Sequence, residues 1–131
     1  MKLNLPIISQ QGNNTANDCG AACVAMLAGV TIDKVMQAVA HPPGEMMPLA
    51  KIMRALGAYR LHHEHSTALS PALLRESLAR GWPVIALVGY GRLPHELKAD
   101  PRYNLNHYVV ISGFYDSGFY VHDPLWPSDL G

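Results

Sequence analysis

The run from Cys19 to Ile32 carries no charged residue, and it limits what this chain can become more than any other feature does. It is too short, and too rich in Gly and Ala, to span a bilayer, which takes roughly 20 apolar residues. A run of this kind belongs inside a compact soluble domain. Asp18 is a favourable N-cap, Ala21, Ala22, Val24, Ala25, Met26, Leu27 and Ala28 are mostly strong helix formers, and Gly29 can close the helix. With 131 residues the chain suits one domain, residues 1–131 read as a single unit. A domain of that length buries roughly two-thirds of its unfolded surface and needs neither a disulfide nor a metal to fold.

The same reading sorts the remaining elements. Thr31 is the next N-cap, opening a short helix from Ile32 to Val39, and His41-Pro42-Pro43-Gly44 breaks the chain. Pro48 begins a third helix through Lys51, Ile52 and Leu56, closed by Gly57. Tyr59 to His65 alternates loosely and reads as a short strand. Ser70-Pro71 is a cap followed by proline at the first helical position, and Gly81 closes that helix. Val84 to Val88 is a continuous apolar run, a buried strand, and a polar loop from Gly89 to Asn106 follows. His107 to Phe114 and Phe119 to His122 are β-rich runs separated by Asp116-Ser117-Gly118, a hairpin signal. Helices come first and an antiparallel sheet last, which makes the fold class α+β.

Charge and cysteine usage narrow the function classes. Ten Lys+Arg balance ten Asp+Glu, and only 15% of residues are charged, so the chain has no electrostatic footprint for nucleic acid or an anionic membrane surface. Met1 to Pro6 lacks the apolar core of a signal peptide. Cys19 and Cys23 are four residues apart on one helix, where a bridge would distort the backbone; both are expected as reduced thiols in a reducing, cytoplasmic compartment.

Cys19 is the most informative position. It stands at a helix N-terminus, where unsatisfied N–H groups and the macrodipole favour thiolate over thiol. Gly20 beside it leaves room for an incoming backbone. Cys23, one turn on between Ala22 and Val24, reads as a small core residue. A thiol nucleophile needs a base, and the base needs an orienting group. His107 opens one strand and Asp123 ends the next, and in an antiparallel pair those two ends lie together. Asp123 shares a face with His107 only if the register sets it opposite Val109 or Ile111. Gln11 supplies a side-chain amide that can donate into an oxyanion hole with the Cys19 N–H, and Gln10 is its competitor.

Gln11, then Asp18-Cys19-Gly20-Ala21-Ala22-Cys23, later His107-Tyr108-Val109-Val110-Ile111 and finally Asp123-Pro124 resemble the bacteriocin-processing cysteine peptidases, family thirty-nine of the papain clan. That family includes stand-alone relatives and transporter-fused domains that cut after double-glycine leaders. The resemblance spans nearly the whole chain and implies a papain-like fold and thiolate attack on a peptide carbonyl. It also implies a Cys19/His107/Asp123 triad with Gln11 in the oxyanion hole. Two departures stand out. The oxyanion glutamine of papain-like enzymes lies about six residues before the cysteine, where this chain has Asn13, so the Gly12–Asn17 loop is longer than usual. The chain also ends at Gly131, shortly after Asp123-Pro124, where relatives often continue with another strand, as a fragment or a minimal version would.

The leading expectation is therefore a cysteine peptidase acting on a peptide or protein substrate. An acyltransferase or deamidase with the same acyl-enzyme comes second, and an inert peptide-binding module third. No cofactor and no metal are expected. Gly89-Tyr90-Gly91 lacks the third glycine of a dinucleotide fingerprint, and there is no phosphate-binding loop with its lysine. His62, His63 and His65 around Glu64 read as a solvated edge strand in preference to a metal site. Met46, Met47 and Met53 read as fillers of core gaps.

Overall fold

The structure, a computed structural model, describes residues 1–10, 17–42, 44–67, 70–94, 96, 98 and 106–126. Four helices come first, α1 (Cys19–Ala28), α2 (Ile32–Ala38), α3 (Leu49–Ala58) and α4 (Pro71–Ala79). Then follow β1 (Val84–Gly89), a 3-10 turn over Tyr90–Arg92, β2 (Asn106–Tyr115) and β3 (Gly118–His122). The three strands form one antiparallel sheet with β2 in the middle. Helices and sheet are segregated along the chain, the α+β arrangement read from the sequence.

Local chemistry accounts for most element ends. Gly29 takes the left-handed conformation at φ 69° and returns its N–H to the Ala25 carbonyl, stopping α1. The Thr31 hydroxyl accepts from the Lys34 N–H and the Ser70 hydroxyl from the Leu73 N–H, capping α2 and α4. Two expectations fail here. Gly57 lies inside α3, which runs to Ala58, and the left-handed turn falls on Arg60 at φ 59°. Tyr59 to His65 is not a strand. The Leu61 N–H turns back to the Leu56 carbonyl, and the His63 ring donates from Nδ1 to the Leu61 carbonyl at 3.0 Å. Such local bonds compete with a ladder, and loose alternation offers little to oppose them.

Helix α1 is the core: every residue from Cys19 to Met26 is buried. Its sides are covered by Ile32, Val35 and Val39 of the α2 region, by Met47, Ile52, Ala55 and Leu56 around α3, and by Tyr108 and Val110 of β2. Met47 is buried as a gap filler, whereas Met46 is 46% exposed and fills nothing. Among the described residues no single helix is long and apolar enough to cross a membrane, and α1 and α2 meet at a 100° bend.

The chain's first residues extend the sheet beside β2. Lys2 bridges Gly113, with Leu3 N–H donating to the Ser112 carbonyl and Phe114 N–H to the Met1 carbonyl. A Cβ on Gly113 would sit 2.4 Å from the Met1 carbonyl oxygen. Glycine is needed there for close backbone approach.

Candidate active site

The β2–β3 register sets the geometry of the site. From the turn outward the pairs are Tyr115↔Gly118, Phe114↔Phe119 and Gly113↔Tyr120; then a bulge intervenes and the ladder resumes as Ile111↔Val121 and Val110↔His122. Ser112 is the extra residue. Without it, His122 would face Ile111 and the next residue, Asp123, would fall opposite Val110, on the far side of the sheet from His107. With it, Asp123 follows opposite Val109 and shares a face with His107, because side chains alternate and a one-residue slip exchanges faces.

His107, the second residue of β2, has no exposed surface, and its Nε2 lies 2.7 Å from Asp123 Oδ1. The Cys19 side chain acts on the ring as well and favours its charged form. With Nε2 committed to Asp123, Nδ1 is the nitrogen left for the thiol. Cys19 is the first residue of α1 and is 2% exposed. Asp18 occupies the N-cap position but makes no side-chain capping bond, so it serves α1 only through its carbonyl, which accepts from Ala22 N–H.

The Asp123 carboxylate is held from several sides. Oδ1 also accepts from the Leu125 N–H at 2.9 Å, and Oδ2 accepts from the Tyr90 hydroxyl at 2.8 Å. Burial opposes its ionisation, but the hydrogen bonds from His107, Leu125 and Tyr90, with the His107 charge, outweigh burial and hold it below the usual carboxylate range. For His107 burial again opposes the charged ring. The bonds to Asp123 and Cys19, and the charges on both, prevail and push it up to about 9. At neutral pH the pair is imidazolium and carboxylate, with the Cys19 side chain beside it. Such a set can stabilise a thiolate and return a proton to a leaving group.

Cys23 is the contrast. It is fully buried, and burial, followed by the charges of Cys19 and Asp123, raises its thiol well above the ordinary range. It stays protonated and inert.

Gln11 lies outside the described residues. Gln10 is buried, and its N–H donates to the Pro124 carbonyl, which also accepts from the Ser9 hydroxyl, so this segment docks beside the Asp123-Pro124 corner. Gly20 has a different reason from the one expected. A Cβ there would meet Ile52 Cδ1 at 3.1 Å, so the glycine admits helix α3 and not an incoming peptide.

Tyr90 was not singled out by the sequence. It is fully buried, and its ring stands edge-on to the His107 ring with centroids 4.9 Å apart. Only the pairing Val88↔His107 shows that the residue just past β1 must lie near His107, and that register is not written in the composition of either strand. His62 bonds the Glu64 carboxylate at 3.1 Å on the surface, while His63 and His65 border a cleft of about 430 Å³ between α3, α4 and β1. Among the described residues no group of three His, Cys, Asp or Glu side chains is placed to hold a metal.

The sequence model of one protein family, described as the Peptidase_C39 like family, matches residues 2–130. Comparison with curated proteins and with solved structures yields no significant match.

Proposed function

The chain belongs to the Peptidase_C39 like family, and from that membership we propose that it is a cysteine peptidase working through Cys19, His107 and Asp123. The observation that carries this is the His107–Asp123 pair, hydrogen-bonded at 2.7 Å, with the Cys19 side chain at the head of α1 acting on the same imidazole. Cys19 as thiolate attacks the scissile carbonyl, and the oxyanion is received by the Cys19 N–H and the Gln11 amide. The C–N bond breaks as His107 gives its proton to the leaving amine, leaving a thioester. Water, deprotonated by His107, then attacks the thioester and frees the acid and the thiol. Asp123 keeps the ring in one orientation and stabilises its charge.

Cys19 is only 2% exposed, so a scissile bond flanked by glycines reaches it with the least obstruction. Double-glycine leader peptides, the substrates that the resemblance to the bacteriocin-processing peptidases implies, are the class we propose.

The test combines alkylation with turnover. Iodoacetamide labelling followed by peptide mass spectrometry should modify Cys19 rapidly at pH 6, with Cys23 protected, and His107→Ala should remove that reactivity. A Gly-Gly leader peptide should be cut after the second glycine and left intact by Cys19→Ala. Sluggish, equal labelling of both thiols, or cleavage unchanged in Cys19→Ala, overturns the proposal. Peptide binding without turnover, indifferent to Cys19→Ala, would identify a binding module instead, and product masses showing capture by a supplied amine would identify a transferase.

A further inference from the structure

The candidate triad accounts for one oxygen of Asp123. The other is taken by Tyr90, whose side chain comes from the 3-10 turn after β1 and not from either strand of the hairpin. We propose that Tyr90 is a positioning residue of the same site, locking the Asp123 carboxylate so that it presents Oδ1 to His107; this rests on the peptidase reading above.

Three observations support it. The Tyr90 hydroxyl donates to Asp123 Oδ2 at 2.8 Å, while Leu125 N–H and His107 Nε2 share Oδ1 at 2.9 and 2.7 Å. A carboxylate held on both oxygens cannot rotate about its terminal torsion without losing a charge-assisted bond. The Tyr90 ring, edge-on at 4.9 Å and 72° to the imidazole, also blocks one side of His107, so a single side chain restrains both members of the pair. Finally, Lys98, itself buried, places its ammonium 5.8 Å from the Tyr90 ring centroid. A cation there anchors the ring and favours the hydroxyl as donor, not acceptor. The titratable groups acting on the carboxylate are thus His107 from β2, Tyr90 from the turn and Cys23 from α1, with Lys98 behind the Tyr90 ring and Cys19 acting on His107.

Tyr90 acts through Asp123, to which its hydroxyl donates. A general packing role would be insensitive to the state of Asp123, and that is the discriminating test. Tyr90→Phe keeps the ring against His107 and removes only the donor. The rate of Cys19 alkylation, measured from pH 4 to 9, should fall by roughly 10- to 100-fold near neutrality, the equivalent of one hydrogen bond to a charged group. The acid limb of the profile should move to higher pH, because Asp123 loses a donor that favours its ionised form. In an Asp123→Asn background the same substitution should change the rate less than about threefold, since coupled residues are not additive.

Wild-type reactivity and acid limb preserved in Tyr90→Phe, or an equal drop in both backgrounds, overturns the positioning role while leaving the peptidase reading intact. An unreactive Cys19 in the wild-type protein overturns that reading, and the positioning role with it.

Discussion

His107 and His122 sit on neighbouring strands of one ladder, both shut off from solvent, yet their imidazoles are pushed in opposite directions. Burial lowers the proton affinity of each. At His122 nothing reverses it: the ring meets the Ser112 hydroxyl at 3.0 Å, and the Lys2 charge adds to the effect of burial. At His107 the carboxylate of Asp123 and the thiol of Cys19 overturn the same penalty and carry the ring to about 9. Depth in the fold therefore does not decide what a histidine does here. The charge that the register places beside it does. His122 is the residue just before Asp123, so alternation sends it to the other face.

The largest expected effect separates the two histidines by function. Asp123→Asn should lower Gly-Gly peptide hydrolysis on the order of 10³- to 10⁴-fold, as loss of the orienting carboxylate does in other triads, and should bring the His107 titration down from about 9. His122→Gln should leave hydrolysis within about threefold, because the ring is off the reacting face. Comparable losses in both variants would erase the distinction.

A middle-sized effect tests what maintains the register. Gly113 follows the Ser112 bulge and is pinned under the N-terminal segment, so Gly113→Ala puts a methyl group against the Met1 carbonyl. The cost should be about 1–3 kcal/mol of stability, typical of overpacking, read as a lower urea midpoint. In a protein lacking Met1 to Leu3, Gly113→Ala should lose most of its effect, since only the milder 3.1 Å contact with the Tyr120 ring then remains. A midpoint unchanged by Gly113→Ala in the full chain would mean that the N-terminal segment does not press on β2.

Local signals explain why much of this was legible in the sequence. Gly29, Thr31 and Ser70-Pro71 each end or open a helix through a bond to their own neighbours, so a few residues suffice to place α1, α2 and α4. Cys19, His107 and Asp123 could be singled out as candidates because each stands at or beside the end of an element. What the sequence hid depends on pairing between strands. Nothing in Ile111-Ser112-Gly113 announces which residue will bulge, and without the bulge the face of Asp123 is undetermined. Tyr90 lies near His107 only through the β1–β2 register. Tyr59 to His65 misled because weak alternation resembles a strand when its competing local hydrogen bonds are unknown.

The smallest effect, and the sharpest on the comparison itself, is the pH dependence of stability. His107 binds its proton more tightly when folded, at about 9 against about 6.5 for the free side chain. Its contribution to stability is therefore complete below pH 6.5 and is lost as the pH rises through 9. His122 is shifted the other way, so its contribution is complete above pH 6.5 and is lost as the pH falls toward its lowered folded value. Asp123, held below the usual carboxylate range, stays ionised across this window and adds no slope. Urea midpoints of wild type, His107→Gln and His122→Gln between about pH 5 and 9.5 would expose the opposition. The gap between wild type and His107→Gln should narrow as the pH rises, and the gap to His122→Gln should narrow as it falls. If both gaps narrow in the same direction, the two rings share one environment, and the carboxylate at the end of β3 does not distinguish them.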